Sequence, residues 1–165
     1  MKNLIPDAPV ASVEGRLCSF LTDFHNTAPN DPSSQSGSLQ RPSLLIVEAN
    51  EEASELLELF LSPWYDLTVV HRHDFVARYA RERAYQLVFM GIDEGEEQPA
   101  LDALVQLRMV RVDRPPVVAS VGYIDAEVER CLSRAGFDGF IKRTFTVRSL
   151  CSMLERVLLR ESAFA

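Results

Sequence analysis

No stretch of the sequence is apolar for long enough to cross a bilayer, since a spanning helix needs about 20 consecutive apolar residues. Lys2 stands near the N-terminus, but Pro6, Asp7 and Pro9 interrupt any hydrophobic run behind it, so no secretory leader is expected. Cysteine is scarce. Cys18, Cys131 and Cys151 are too few and too far apart for a metal knuckle, and their odd number argues against a disulfide framework. Reduced thiols and a cytoplasmic location are the matching expectation. Positive charge is short as well. Lys and Arg number 17 against 24 Asp and Glu, a formal net charge of -7, with -2 in residues 1–40 and -5 in residues 41–165. A protein that grips a phosphate backbone normally concentrates a positive surplus, so nucleic acid is disfavoured as a partner. There is no glycine-rich phosphate loop and no Ser-His-Asp arrangement. We therefore expect no catalytic residues, no cofactor and no resident metal.

At 165 residues, 47% of them hydrophobic, the chain can bury one substantial core but hardly two. Residues 26–43 are rich in Pro, Ser, Asn and Gly and read as a linker. Before them Val10, Val13, Leu17, Phe20, Leu21 and Phe24 recur at helical spacing. A helix that short is marginal alone and needs a surface, on its own domain or on a partner. The division expected is an N-terminal extension over residues 1–42 and one domain over 43–161.

From Ser43 the pattern becomes regular. Leu44–Val47 is a fully apolar run, as buried parallel strands have. Asn50 can cap a helix with Ala53, Leu56, Leu57, Phe60 and Leu61 inward, ended by Pro63. Strands at Leu67–Val70, Leu87–Met90, Val117–Val121 and Phe137–Lys142 alternate with four further helices. Asp74 is the expected cap of the second helix, and Leu101, Leu104, Val105 and Leu107 the apolar face of the third. The fourth carries Ile124, Val128, Cys131, Leu132 and Ala135 and closes on Gly136. Thr146 should cap the last, with Leu150, Met153, Leu154, Val157 and Leu158 inward. Strand–helix repeated five times predicts an α/β fold: a doubly wound, five-stranded parallel sheet with helices on both faces.

Four stretches in register carry a resemblance: Leu-Leu-Ile-Val-Glu-Ala-Asn (44–50), Tyr-Gln-Leu-Val-Phe-Met-Gly-Ile (85–92), Pro-Val-Val-Ala-Ser-Val-Gly (116–122) and Ala-Gly-Phe-Asp-Gly-Phe-Ile-Lys-Arg-Thr-Phe-Thr (135–146). Over about residues 43–160 the chain resembles the receiver domain of bacterial response regulators, a flavodoxin-like, CheY-like fold. The resemblance implies an acceptor aspartate after the third strand, an acidic pair for Mg²⁺ after the first, a hydroxyl after the fourth and a lysine after the fifth. Mg²⁺ favours hard carboxylate oxygens, and a transferring phosphoryl group needs positive charge around it. Here the acceptor position is Gly91, the acidic pair is Glu48 and Ala49, and the hydroxyl position is Val121. The lysine position is Arg143, with Lys142 beside it and Thr144 in place of the usual proline. The strand-five tyrosine is Phe140. The resemblance is to a degenerate member of the family, a pseudo-receiver, without aspartyl phosphotransfer at the usual place.

Several residues admit a sharper reading beside a plain one. Asp93 lies two residues beyond Gly91, about 6–7 Å farther along an extended chain. It could substitute as acceptor, or belong with Glu94, Glu96 and Glu97 to a solvated acidic loop. Glu48 and Arg143 are expected to form a structural ion pair, with Arg143 filling space left by Gly91, since Arg is a fixed-geometry carboxylate partner. His71 and His73 read as surface histidines rather than metal ligands. The runs Arg78, Arg81, Arg83 and Arg108, Arg111, Arg114 read as solvated helix faces, or else as a grip for a nucleotide or cyclic dinucleotide. The chain stops soon after the last helix, so its output is expected to pass to another signalling protein. The face of the fourth helix, fifth strand and fifth helix, with Arg130, Phe140, Arg148 and Glu155, is the expected docking surface for such a partner or for a second copy. The leading expectation is a phosphorylation-independent adaptor or regulator that works by protein–protein contact. The alternatives are a ligand-binding sensor and an atypical phospho-accepting regulator.

Overall fold

Apolar runs of four to six residues become the strands of one parallel sheet. The computed structural model describes residues 41–162. In chain order it contains β1 (Ser43–Val47), α1 (Glu51–Leu61), β2 (Asp66–Val70), a 3-10 turn (His73–Phe75), α2 (Val76–Glu82), β3 (Leu87–Ile92), α3 (Glu97–Val110), β4 (Val117–Val121), α4 (Ala126–Ala135), β5 (Gly139–Lys142) and α5 (Val147–Ser162). The strands lie in the order β2-β1-β3-β4-β5, all parallel. The chain winds outward from β1 to β2 and then returns across β1 to β3. That reversal opens a crevice beyond the carboxyl ends of β1 and β3, where open α/β sheets place their sites. The amphipathic stretch at 10–24, residues 26–40 of the linker and Cys18 lie outside the described residues, whereas Ser43, expected as the end of the linker, is buried and opens β1. Among the described residues no helix is long and apolar enough to cross a membrane.

Period-two alternation sorts the strand residues onto two faces. Leu45, Val47, Val88, Met90, Val117 and Ala119 form one core with Val76 and Ala80 of α2, Ala103, Leu104 and Leu107 of α3, and Leu132 of α4. The alternate positions, including Leu44, Ile46, Phe89 and Val118, are equally buried and turn toward α1 and α5. On that side α5 lies close enough that a Cβ on Gly139 would sit 2.6 Å from a methyl of Val157. Every residue of β1, β3 and β4 is buried, which explains their unbroken apolar runs, while the edge strand β2 is partly open.

Local signals set most element ends. Asn50 accepts a hydrogen bond from the Ala53 amide, and Asp125 accepts from Glu127 and Val128. Gly136, at φ 100°, closes α4 in the left-handed conformation. Thr146 and Ser149 cap each other at the start of α5. Three expectations need correction. Asp74 caps nothing: its carboxylate holds Arg72, and the chain makes a 3-10 turn before α2 begins at Val76. Glu97, expected in the acidic loop, instead starts the third helix, which accommodates Pro99 in its first turn, where amide hydrogens have no helical partner in any case. Its buried stripe is Ala100, Ala103, Leu104 and Leu107, so Val105 faces outward, as do Leu56 on α1 and Cys131 on α4.

Candidate functional site

Beyond the carboxyl ends of β1, β3 and β5, three loops meet through one arginine. Glu48 directly follows β1, and its backbone amide extends the ladder to the Val70 carbonyl, 2.9 Å away. This fixes a carboxylate that is 1% exposed, a position where an ionised group survives only when paired and hydrogen-bonded. It has both. Arg143, just past β5, donates from Nη2 to Glu48 Oε1 at 2.9 Å and from Nε to Oε2 at 3.3 Å. The Asn50 amide donates to Oε1 at 3.0 Å. The remaining guanidinium nitrogen, Nη1, reaches Asp93 Oδ1 at 2.5 Å. Burial works against the charge on Arg143, but hydrogen bonds and Coulomb attraction from Glu48 and then Asp93 outweigh it and raise its pKa.

Gly91 is the floor of this arrangement. A Cβ on residue 91 would fall on the Glu48 carboxyl, 2.5 Å from both Cδ and Oε1. The expected geometry is therefore corrected in one respect: Glu48, and not Arg143, occupies the volume that the missing side chain leaves. Asp93 is neither an isolated acceptor nor part of a free acidic loop, because it shares Arg143 with Glu48. Ala49 is exposed beside the site, and Val121 is buried at the end of β4, its carbonyl accepting from the Arg143 amide at 2.8 Å.

Two features escaped the sequence reading. His71 donates from Nδ1 to the Glu48 carbonyl at 2.9 Å, and His73 donates from Nε2 to the Gly91 carbonyl at 2.7 Å. These are struts between the β2 loop and the ends of β1 and β3, and their alternation around Arg72 was the only available hint. Ser120, the register partner of Gly91, is 1% exposed and its Oγ has no hydrogen-bond partner among the described residues. Among the described residues no group of three His, Cys, Asp or Glu side chains could hold a metal ion.

No protein-family model and no curated protein matches the sequence. Solved structures do. A response regulator from Thermotoga maritima aligns at 16% identity over 72% of this chain and 98% of its own, with a TM-score of 0.63. A CheY-like response regulator receiver domain protein from Methanospirillum hungatei JF-1 aligns at 15% identity over 76% and 100%, with a TM-score of 0.65. Chemotaxis protein CheY4 from Vibrio cholerae aligns at 14% identity over 72% and 99%, with a TM-score of 0.63. The fold is that of a CheY-like receiver domain.

In a receiver fold the crevice at β1 and β3 is where the resemblance places Mg²⁺ and the phosphoryl group. The residues present do not fit the metal. Both oxygens of Glu48 are committed to Arg143, one of them also to the Asn50 amide, and Asp93 Oδ1 is committed to the same guanidinium. A dication on these carboxylates would sit against a fixed positive charge.

The other sequence candidates divide between the domain's own chemistry and its surface. Of the arginine runs, Arg78 holds Glu82, Arg83 holds Asp66, Arg108 holds Asp138 and Arg111 holds Asp113. On the α4–β5–α5 face, Phe140 is half-buried against the core, and the Arg156 guanidinium lies 5.7 Å from its ring centroid. Arg130 bonds the Ala126 carbonyl of its own helix, Arg148 is exposed and Glu155 half-buried.

Proposed function

We propose that this chain is a pseudo-receiver that acts as a phosphorylation-independent adaptor or regulator, through protein–protein contact and without enzymatic activity. One observation carries the reading: the place of the acceptor side chain is filled by the Glu48 carboxylate, which Arg143 already holds. The resemblance implies that an added phosphoryl group supplies negative charge to a lysine after the fifth strand, the position that Arg143 holds here. Here a carboxylate supplies it permanently, within covalent reach and at no cost in ligand binding. The site is thereby held in one state, and the signal passes through whatever protein docks on the domain. The α4–β5–α5 face, with Phe140, Arg130, Arg148 and Glu155, is the surface we assign to a signalling partner.

Incubation of the full chain with acetyl phosphate and Mg²⁺, followed by intact-mass measurement, tests the reading. No added phosphoryl is expected on the parent chain. None is expected on Gly91→Asp either, because Glu48 blocks the new side chain and Ala49 and Val121 supply neither metal ligand nor hydroxyl. A stoichiometric adduct on the parent chain would refute the proposal.

A further inference from the structure

The third helix carries an apolar surface that the domain itself leaves uncovered. Leu101, Val105 and Met109 recur every four residues and so share one side of α3; Leu101 is partly buried against the core, Val105 and Met109 are exposed, and Val112 continues the line just past the helix end. Val105 is 58% exposed, Met109 80% and Val112 98%. Single exposed apolar side chains are ordinary, but a line of them along one helix is a patch.

The charges at the two ends of this line have opposite sign. Exposed Glu94, Glu96 and Glu97 stand at the N-terminal end. At the C-terminal end Arg108 and Arg111 are balanced by Asp138 and Asp113, which leaves exposed Arg114 in surplus. A surface whose halves are each other's complement fits a two-fold copy of itself, because in such a contact residue i meets j and j meets i. Antiparallel apposition of two α3 helices, each about 21 Å long, places Val105 near the axis and Leu101 opposite Met109. Each acidic end then meets the other chain's Arg114, and the two helix dipoles run in opposition.

We infer that α3 is a self-association surface whose occupant is a second copy of this chain, paired through an antiparallel two-fold contact. The residues of this surface belong to α3 and the loop behind it, and none of them is part of α4, β5 or α5. One helix face on each side makes a small interface, and the dimer is correspondingly weak, with a Kd of about 10 μM.

Sedimentation velocity of the full chain across a concentration range spanning that value reads the association directly. The expected result is a concentration-dependent rise from monomer to dimer, abolished by Val105→Glu with Met109→Glu while the melting temperature holds. Glu94→Arg combined with Glu96→Arg, and separately Arg114→Glu, should each weaken self-association, since each makes both ends of the pair like-charged. An equimolar mixture of the two variants should recover the dimer, because both ends regain opposite charges. A chain that stays monomeric throughout, a dimer that survives the double substitution, or a mixture that fails to recover would each overturn the inference.

Discussion

A methyl group on residue 91 and the carboxyl of residue 48 compete for one volume, and that competition sets what substitutions there do. Gly91→Ala must push Glu48 away from Arg143 or shift β3, the kind of overpacking that costs about 1–3 kcal/mol. Glu48→Gln keeps the shape but removes the charge from two hydrogen bonds to Arg143, a loss of about 1.5–3 kcal/mol for a buried group. Both variants should lower the denaturation midpoint while leaving binding at the α4–β5–α5 face nearly intact. Unchanged stability with lost binding would make Glu48 a recognition residue instead. That Glu48 and Arg143 meet was legible, because each directly follows a strand that opens onto the same crevice. Which of them fills the space over Gly91 was not, because a long arginine can reach a carboxylate from many directions. The sharing of Arg143 with Asp93, the two histidine struts and the buried Ser120 hydroxyl depend on side-chain directions that residue spacing does not encode.

At the level of the elements, sequence signals with a local mechanism were readable and those that compete with a neighbour were not. Asn50, Gly136 and Thr146 act within a few residues of their own positions, and all three end their helices as their chemistry suggests. Asp74 had the right residue type, but Arg72 two positions earlier takes its carboxylate. Asp125 accepts from two amides at the start of α4 and is its cap. Asp125→Ala should therefore lower stability by about 1 kcal/mol, and Asp125→Ser should restore most of it. Urea titrations in which the midpoint moves and the slope stays constant would confirm a local loss. In α3 the alanines at 100 and 103, small but buried, carry the core stripe that larger residues usually mark, which puts Val105 on the outward side.

For the whole molecule, the alternation of apolar runs and helical periods was enough to reach a five-stranded parallel sheet, since right-handed crossovers leave few other topologies. Recognition surfaces are less visible from sequence, because exposure is decided by the sum of all packing. The expected anchor Phe140 is half-buried under Arg156, so Arg148→Glu is the cleaner probe of the α4–β5–α5 face. With a captured partner in hand, deletion of residues 1–40 should leave binding in place, and Arg148→Glu should weaken it at least tenfold by calorimetric titration. If the deletion alone abolishes binding and Arg148→Glu does nothing, the N-terminal stretch is the docking element.

The junction at Arg143 also bears on how such a domain could change over generations. An acceptor cannot simply be introduced at position 91, because the new side chain collides with Glu48. Removing the Glu48 carboxylate first is costly as well, because it leaves Arg143, mostly buried, with Asp93 as its one remaining ion-pair partner among the described residues. Every first step is a loss, and only several changes made together recover it. The arrangement behaves as a ratchet: with glutamate and arginine closed over the glycine, an acceptor at position 91 is separated from this sequence by a series of destabilising steps.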